Sequence, residues 1–103
     1  MDKDIIIENT EIKEAEKIKS ILIEKGYENI FAWTDPPHAN YSSHIHNDDE
    51  MRWVYHGSII IGHKDGEVEL FPGDKISITA GVKHWAKSDK GVSYICGSKY
   101  SGK

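Results

Sequence analysis

Six histidines in 103 residues direct attention to the middle of the chain. In Ser43-His44-Ile45-His46 two imidazoles stand two residues apart. Side chains alternate along a strand, so on a strand both rings point to one face and form a two-ligand platform. After the Asn47-Asp48-Asp49 turn, Glu50 opens the next run, where it can fold back beside the pair and offer a carboxylate oxygen. A later run, Gly73 to His84, takes a strand into a glycine-containing turn and delivers His84 as a fourth ligand from a distant strand. Three imidazoles and one carboxylate suit one divalent transition ion: Fe(II), Ni(II), Mn(II), Co(II), Cu(II) or Zn(II). A six-coordinate ion on four protein ligands keeps two positions open, and open positions are what make a metal catalytic.

The elements that must position these groups can be read from periodicity. Ile12, Ala15, Ile18 and Leu22 recur three or four residues apart between Glu11, Glu14, Lys17 and Glu24, which predicts one amphipathic helix over 10–25. Thr10 is its expected N-cap and Gly26 the residue just past its C-terminus. From Ile30 onward the rhythm changes to short β-prone runs: Ile30 to Thr34, Tyr41 to His46, Glu50 to His56, Ser58 to Gly62, Glu67 to Phe71, Lys75 to Thr79 and Val92 to Gly97. Turn formers such as Asp35-Pro36-Pro37, Lys64-Asp65-Gly66 and Pro72-Gly73-Asp74 separate them. Successive hairpins without crossover helices imply a sandwich, jelly roll or barrel. The chain therefore reads as a single domain, 1–103, with a helix over 10–25 and a β-barrel over 30–98.

Strand parity places Glu50, Arg52, Val54 and His56 on one face and Met51, Trp53 and Tyr55 on the other. If Glu50 faces a metal, Arg52 and His56 share its interior. Arg52 then either binds an anionic substrate oxygen or pairs with Glu50 or Asp49, because a lone buried arginine is costly. The outward apolar row needs cover, from the helix or from a second subunit, and a homodimer is the expectation. Trp33, Trp53 and Trp85 could stack on a ligand, but packing is the commoner use of tryptophan; Trp85, beside the site on the opposite strand face, is the expected exception. Tyr94 and Cys96 share a face that can line the barrel, and neither is assigned a catalytic role.

Composition narrows the partners. Thirteen Lys+Arg against 17 Asp+Glu leave a net charge of -4, and Arg52 is the only arginine, which argues against nucleic acid and anionic membrane surfaces. The longest apolar runs are far below the ~20 residues that span a bilayer, and the start of the chain lacks a signal-peptide core. A single Cys96 makes no internal disulfide. The expectation is a cytoplasmic protein acting on a small molecule.

His44-x-His46-x3-Glu50-x6-Gly57, a 15-residue gap, and Gly73-x5-Thr79-x-Gly81-x2-His84 resemble the two signature motifs of the cupin superfamily, over roughly Tyr41 to Ser88. His38 stands where the first motif usually has its leading glycine. Thr79 and Ser88 stand where the second usually has proline and asparagine. The resemblance implies an all-β double-stranded β-helix, a jelly-roll barrel, here with one N-terminal α-helix, often dimeric. Its metal ligands match His44, His46, Glu50 and His84. Within the superfamily, His44 to Trp53, Gly73 to Ile78 and Ala80 to Trp85 most resemble the acireductone dioxygenase family, and Ile21 to Tyr27 is similar to the helix preceding its barrel. That resemblance implies a mononuclear oxygenase for an enediol or similar bidentate metabolite, Fe(II) as the expected ion, and Arg52 offsetting the substrate's charge. Two other readings stand beside it: a metal-dependent isomerase or lyase, and a non-catalytic cupin that binds metal or a small ligand as a sensor or store.

Overall fold

The computed structural model describes residues 4–100. Its elements, in chain order, are β1 (Ile5–Asn9), α1 (Ala15–Glu24), β2 (Glu28–Asp35), β3 (Ala39–His44), β4 (Asp49–Gly57), β5 (Ile59–His63), β6 (Gly66–Leu70), β7 (Asp74–Ile78), β8 (His84–Ser88) and β9 (Val92–Lys99). They form two antiparallel sheets, β1-β7-β4-β9-β2 and β3-β8-β5-β6. No helix among the described residues is long and apolar enough to cross a membrane.

Two apolar clusters hold this arrangement. The first lies between the sheets and takes Val54, Ile76, Ile78, Val92, Tyr94 and Cys96 from the five-stranded sheet and Ile59, Ile61, Leu70 and Ala86 from the four-stranded one. The second lies outside the five-stranded sheet, where Ile18 and Leu22 of α1 cover Met51, Trp53 and Ile95. Burial of each large aliphatic side chain there contributes about 1.5–3 kcal/mol. The Trp53 indole Nε1 also donates to the Ile12 carbonyl at 3.1 Å, tying the approach to the helix onto β4. The outward row of β4 is thus covered by the chain's own helix.

The helix is shorter at its start than the 10–25 periodicity predicts, and Thr10 is not its N-cap. The Thr10 hydroxyl donates to the Gly73 carbonyl at 2.6 Å and accepts from the Ile12 N–H at 3.0 Å. Glu11 has φ of 64°, so the chain turns before it coils. Glu14 is the N-cap residue, with no side-chain capping bond. The other end matches the expected pattern: Gly26 has φ of 86°, its N–H bonds to the Ile23 carbonyl, and the Tyr27 N–H bonds to the Leu22 carbonyl. This is a Schellman stop, whose left-handed residue favours glycine.

Two strands lie outside the predicted set. β1 comes before the helix and pairs with β7 as an edge of the five-stranded sheet. β8, His84–Ser88, is too polar to signal a strand by hydrophobic run. It nevertheless alternates buried His84, Ala86 and Ser88 with half-buried Trp85 and Lys87. β4 also departs from simple parity. Arg52 and Val54 face inward, but a register shift between Val54 and His56 against β9 turns His56 out to solvent. A bulge adds one residue to one strand and reverses the facing of the residues beyond it.

Candidate metal centre

β3 and β8 pair antiparallel, and a register shift after Tyr41 brings His44 directly opposite His84. His46 lies just past the end of β3, so its place is set by the loop and not by strand alternation. Two bonds fasten that loop to the turn before β8. The Gly81 N–H donates to the His46 carbonyl at 2.9 Å, and the Ala80 N–H donates to Asp49 Oδ1 at 2.8 Å. The turn before His84 is thereby held to the His46 backbone and to the Asp49 carboxylate at the start of β4.

The three rings converge. Centroids are 4.8 Å apart for His44 and His46, 4.5 Å for His44 and His84, and 5.3 Å for His46 and His84. One ring nitrogen from each lies within 4.8 Å of the others. Metal–nitrogen bonds of about 2.0–2.1 Å require the rings to draw inward from this spread around an ion.

Their hydrogen bonds prepare them for that role. His44 Nδ1 donates to the Ser42 carbonyl at 2.8 Å, and His84 Nδ1 donates to the Val82 carbonyl at 3.0 Å. A carbonyl can only accept, so each bond fixes the tautomer with the proton on Nδ1 and leaves the Nε2 lone pair free, as for metal-bound imidazoles. His46 Nε2 is closed off from solvent and has no hydrogen-bond partner among the described residues. An orphaned buried nitrogen is costly unless something else satisfies it, and a metal ion fits this one. Burial holds the His84 and His46 rings below the ordinary histidine value, so both favour the neutral, ligating form.

The cluster contains the three histidines, and Glu50 stands beside it. Glu50 Oε1 accepts from an Arg52 guanidinium nitrogen at 3.0 Å, with both side chains largely buried. The sequence left Arg52 open between an ion pair and a substrate role; the structure forms the pair. The Glu50 charge still acts on His46. Arg52 also lies over the Tyr94 ring, 5.8 Å from its centroid. Burial pushes the Cys96 thiol up to about 11, so it is a neutral wall residue at neutral pH and not a thiolate ligand.

The three histidines, Arg52, Tyr94 and Cys96, but not Glu50, line one cavity of about 350 Å³ between the sheets. Trp85 lies outside it, over a cleft on the other face of β8. Its indole packs on Gly62, where an added Cβ would stand 2.0 Å from Trp85 Cε2. The rest of the cavity wall includes Phe31, Trp33 and Tyr41, which no motif in the chain assigns to a site. The readable signal was the alternation Phe31, Trp33, Asp35 along one face of a strand ending at the Pro36-Pro37 turn.

The architecture has close counterparts among solved structures. A DUF861 family protein from Thermotoga maritima superposes with a TM-score of 0.67 at 17% identity, over 92% of this chain and 99% of that one. A cupin superfamily protein from Desulfitobacterium hafniense gives 0.63 at 13% identity, over 92% and 98%. A cupin-2 domain containing protein from Shewanella frigidimarina gives 0.59 at 22% identity, over 65% of each chain. The fold is the cupin fold. No family model matches the chain. Among curated proteins, this chain is similar to acireductone dioxygenase of Bacillus cytotoxicus, 47% identical over 47 residues, which is 41% of this chain and 28% of that protein. It is also similar to acireductone dioxygenase of Leptospira biflexa, 45% identical over 51 residues, 46% of this chain and 29% of that protein. The matched region therefore spans less than a third of either relative.

Proposed function

We propose that this cupin is a mononuclear metal-dependent oxygenase acting on a small bidentate oxygenated metabolite. One observation carries the reading. Three imidazoles converge with two tautomers fixed by backbone carbonyls, and the third presents an orphaned, buried Nε2. His44, His46 and His84 would hold the ion, with Glu50 as the fourth ligand when Arg52 yields its carboxylate. A bound divalent transition metal, Fe(II) in the first instance, supplies a Lewis-acid and redox centre with open positions. Arg52 places a permanent positive charge on the cavity wall, where it offsets an anionic substrate oxygen. The apolar walls of Ile59, Ile61 and Ile78 exclude water from the reacting group. Local similarity to acireductone dioxygenases supports this choice of reaction class.

A second reading has its own observation. With Glu50 committed to Arg52, the site offers three neutral donors, which suits a cupin that binds a metal or small ligand without turnover. The experiment begins with elemental analysis of protein purified without an affinity tag or chelator, beside the His44→Ala variant. Near-stoichiometric metal that disappears in the variant is the expected result. Iron-loaded protein should then consume oxygen with an enediol substrate, and His84→Ala and Arg52→Ala should abolish this. Turnover without oxygen replaces the oxygenase by an isomerase or lyase. Metal binding without any turnover leaves the binding module, and protein that neither carries nor accepts metal overturns both.

A further inference from the structure

Asp35, at the end of β2, is only 4% exposed. Its Oδ1 accepts from the Trp33 indole Nε1 at 2.8 Å and from the Tyr41 hydroxyl, and its Oδ2 accepts from the Tyr94 hydroxyl at 3.1 Å. Three aromatic rings on the wall of the cavity, from β2, β3 and β9, strands of both sheets, are fixed by one carboxylate, Tyr94 within the buried core and Trp33 and Tyr41 toward solvent. Their polar atoms are spent on Asp35, so the rings present carbon surface to the cavity. Phe31 extends that surface, edge-on to Trp33 at 6.5 Å. Arg52 over the Tyr94 ring marks the border with the histidines. Trp33 and Tyr41 keep 48% and 37% exposure, whereas the packing tryptophan, Trp53, keeps 1%. Rings that are locked in place and yet open to solvent are pre-organised for a ligand, because little side-chain freedom is left to lose on binding.

We propose that Trp33, Tyr41 and Tyr94, locked by Asp35, form a second subsite of the same cavity that takes a flat apolar group. The ligand would join a chelating oxygen head at the histidines to a planar apolar tail at the rings, and in this the inference rests on the metal-chelating reading above. Asp35 is a positioning residue: it touches no ligand and acts by holding the rings.

The test uses the full chain loaded with Co(II) and two hydroxamates with the same chelating head, acetohydroxamate and benzohydroxamate. Calorimetry gives the ratio of their dissociation constants, normalised to the ratio for the free ion. Benzohydroxamate should bind at least tenfold more tightly. Trp33→Ala should bring the two within about twofold of each other while leaving acetohydroxamate affinity unchanged. Trp33→Phe, which keeps a ring, should retain most of the preference, and Asp35→Asn should reduce it without moving the Co(II) spectrum. A wild-type ratio near one overturns the subsite and leaves the metal reading standing. Failure of Co(II) to load, or of both hydroxamates to bind loaded protein, overturns the metal reading and this inference with it. An unmoved ratio in Trp33→Ala, accompanied by conversion of a dimer to a monomer, overturns the subsite and assigns the rings to an interface between copies.

Discussion

Replacing His46 by leucine should move the stability of the metal-free and metal-loaded protein in opposite directions. In the metal-free chain the His46 Nε2 is shut away from solvent without a partner among the described residues. A buried polar group left unsatisfied costs about 1–3 kcal/mol. Leucine fills a similar volume and carries no such atom. The ring as a whole is only half-buried, so the lower end of the range applies, and the variant should gain about 1 kcal/mol. For a domain of this size that raises Tm by about 4–8 °C. With metal at a hundred times its Kd, the wild type gains about 2.7 kcal/mol. If loss of one of the three imidazoles weakens binding a hundredfold, the variant gains about 0.4 kcal/mol at the same metal concentration. The assay is thermal unfolding by circular dichroism, after chelator treatment and again with added ion. A metal-free variant less stable than wild type would refute the orphaned-nitrogen argument, and an undiminished metal-induced shift would refute the triad.

Burial lowers the His46 and His84 values in the folded state. Below the ordinary value of about 6.5 the unfolded chain therefore binds protons that the folded chain resists, and metal-free stability should rise with pH up to that point and then level off. Urea titrations between pH 5 and 8 check this, and a slope of opposite sign counts against the burial of these rings. Asp49→Ala removes the acceptor of the Ala80 N–H and loosens the turn that orients His84; metal affinity should fall about 10–100-fold, as for other groups that orient a ligand, measured by competition with a chromophoric chelator. Arg52→Met leaves Glu50 as an uncompensated, largely buried charge and should cost about 3 kcal/mol in urea unfolding, most of it recovered by adding Glu50→Gln; a double variant no more stable than Arg52→Met would contradict the pairing. Gly62→Ala drives its new methyl into the Trp85 indole and should destabilise by about 1–3 kcal/mol, relieved by Trp85→Ala, with metal loading intact.

Much of this protein is legible along the chain because it depends on local rules. The Ile18 and Leu22 stripe, the stop at Gly26, and the alternation that turns Met51 and Trp53 toward one face and Arg52 toward the other all come from helix and strand periods. So does the clustering of turn residues that separates the strands. The types and spacing of His44, His46 and His84 were enough to nominate a metal site. What only the tertiary structure decided depends on groups far apart in sequence. The bulge between Tyr41 and His44 sets His44 across from His84, and the one between Val54 and His56 turns His56 out; no periodicity announces an inserted residue. Thr10 is drawn off its expected cap by the Gly73 carbonyl, 63 residues along the chain. Asp35 looks in sequence like the start of a proline turn, and only the meeting of β2, β3 and β9 shows three rings sharing its carboxylate. A side chain's type and period are properties of the chain. Which partner wins its hydrogen bond is a competition among everything the fold brings within reach.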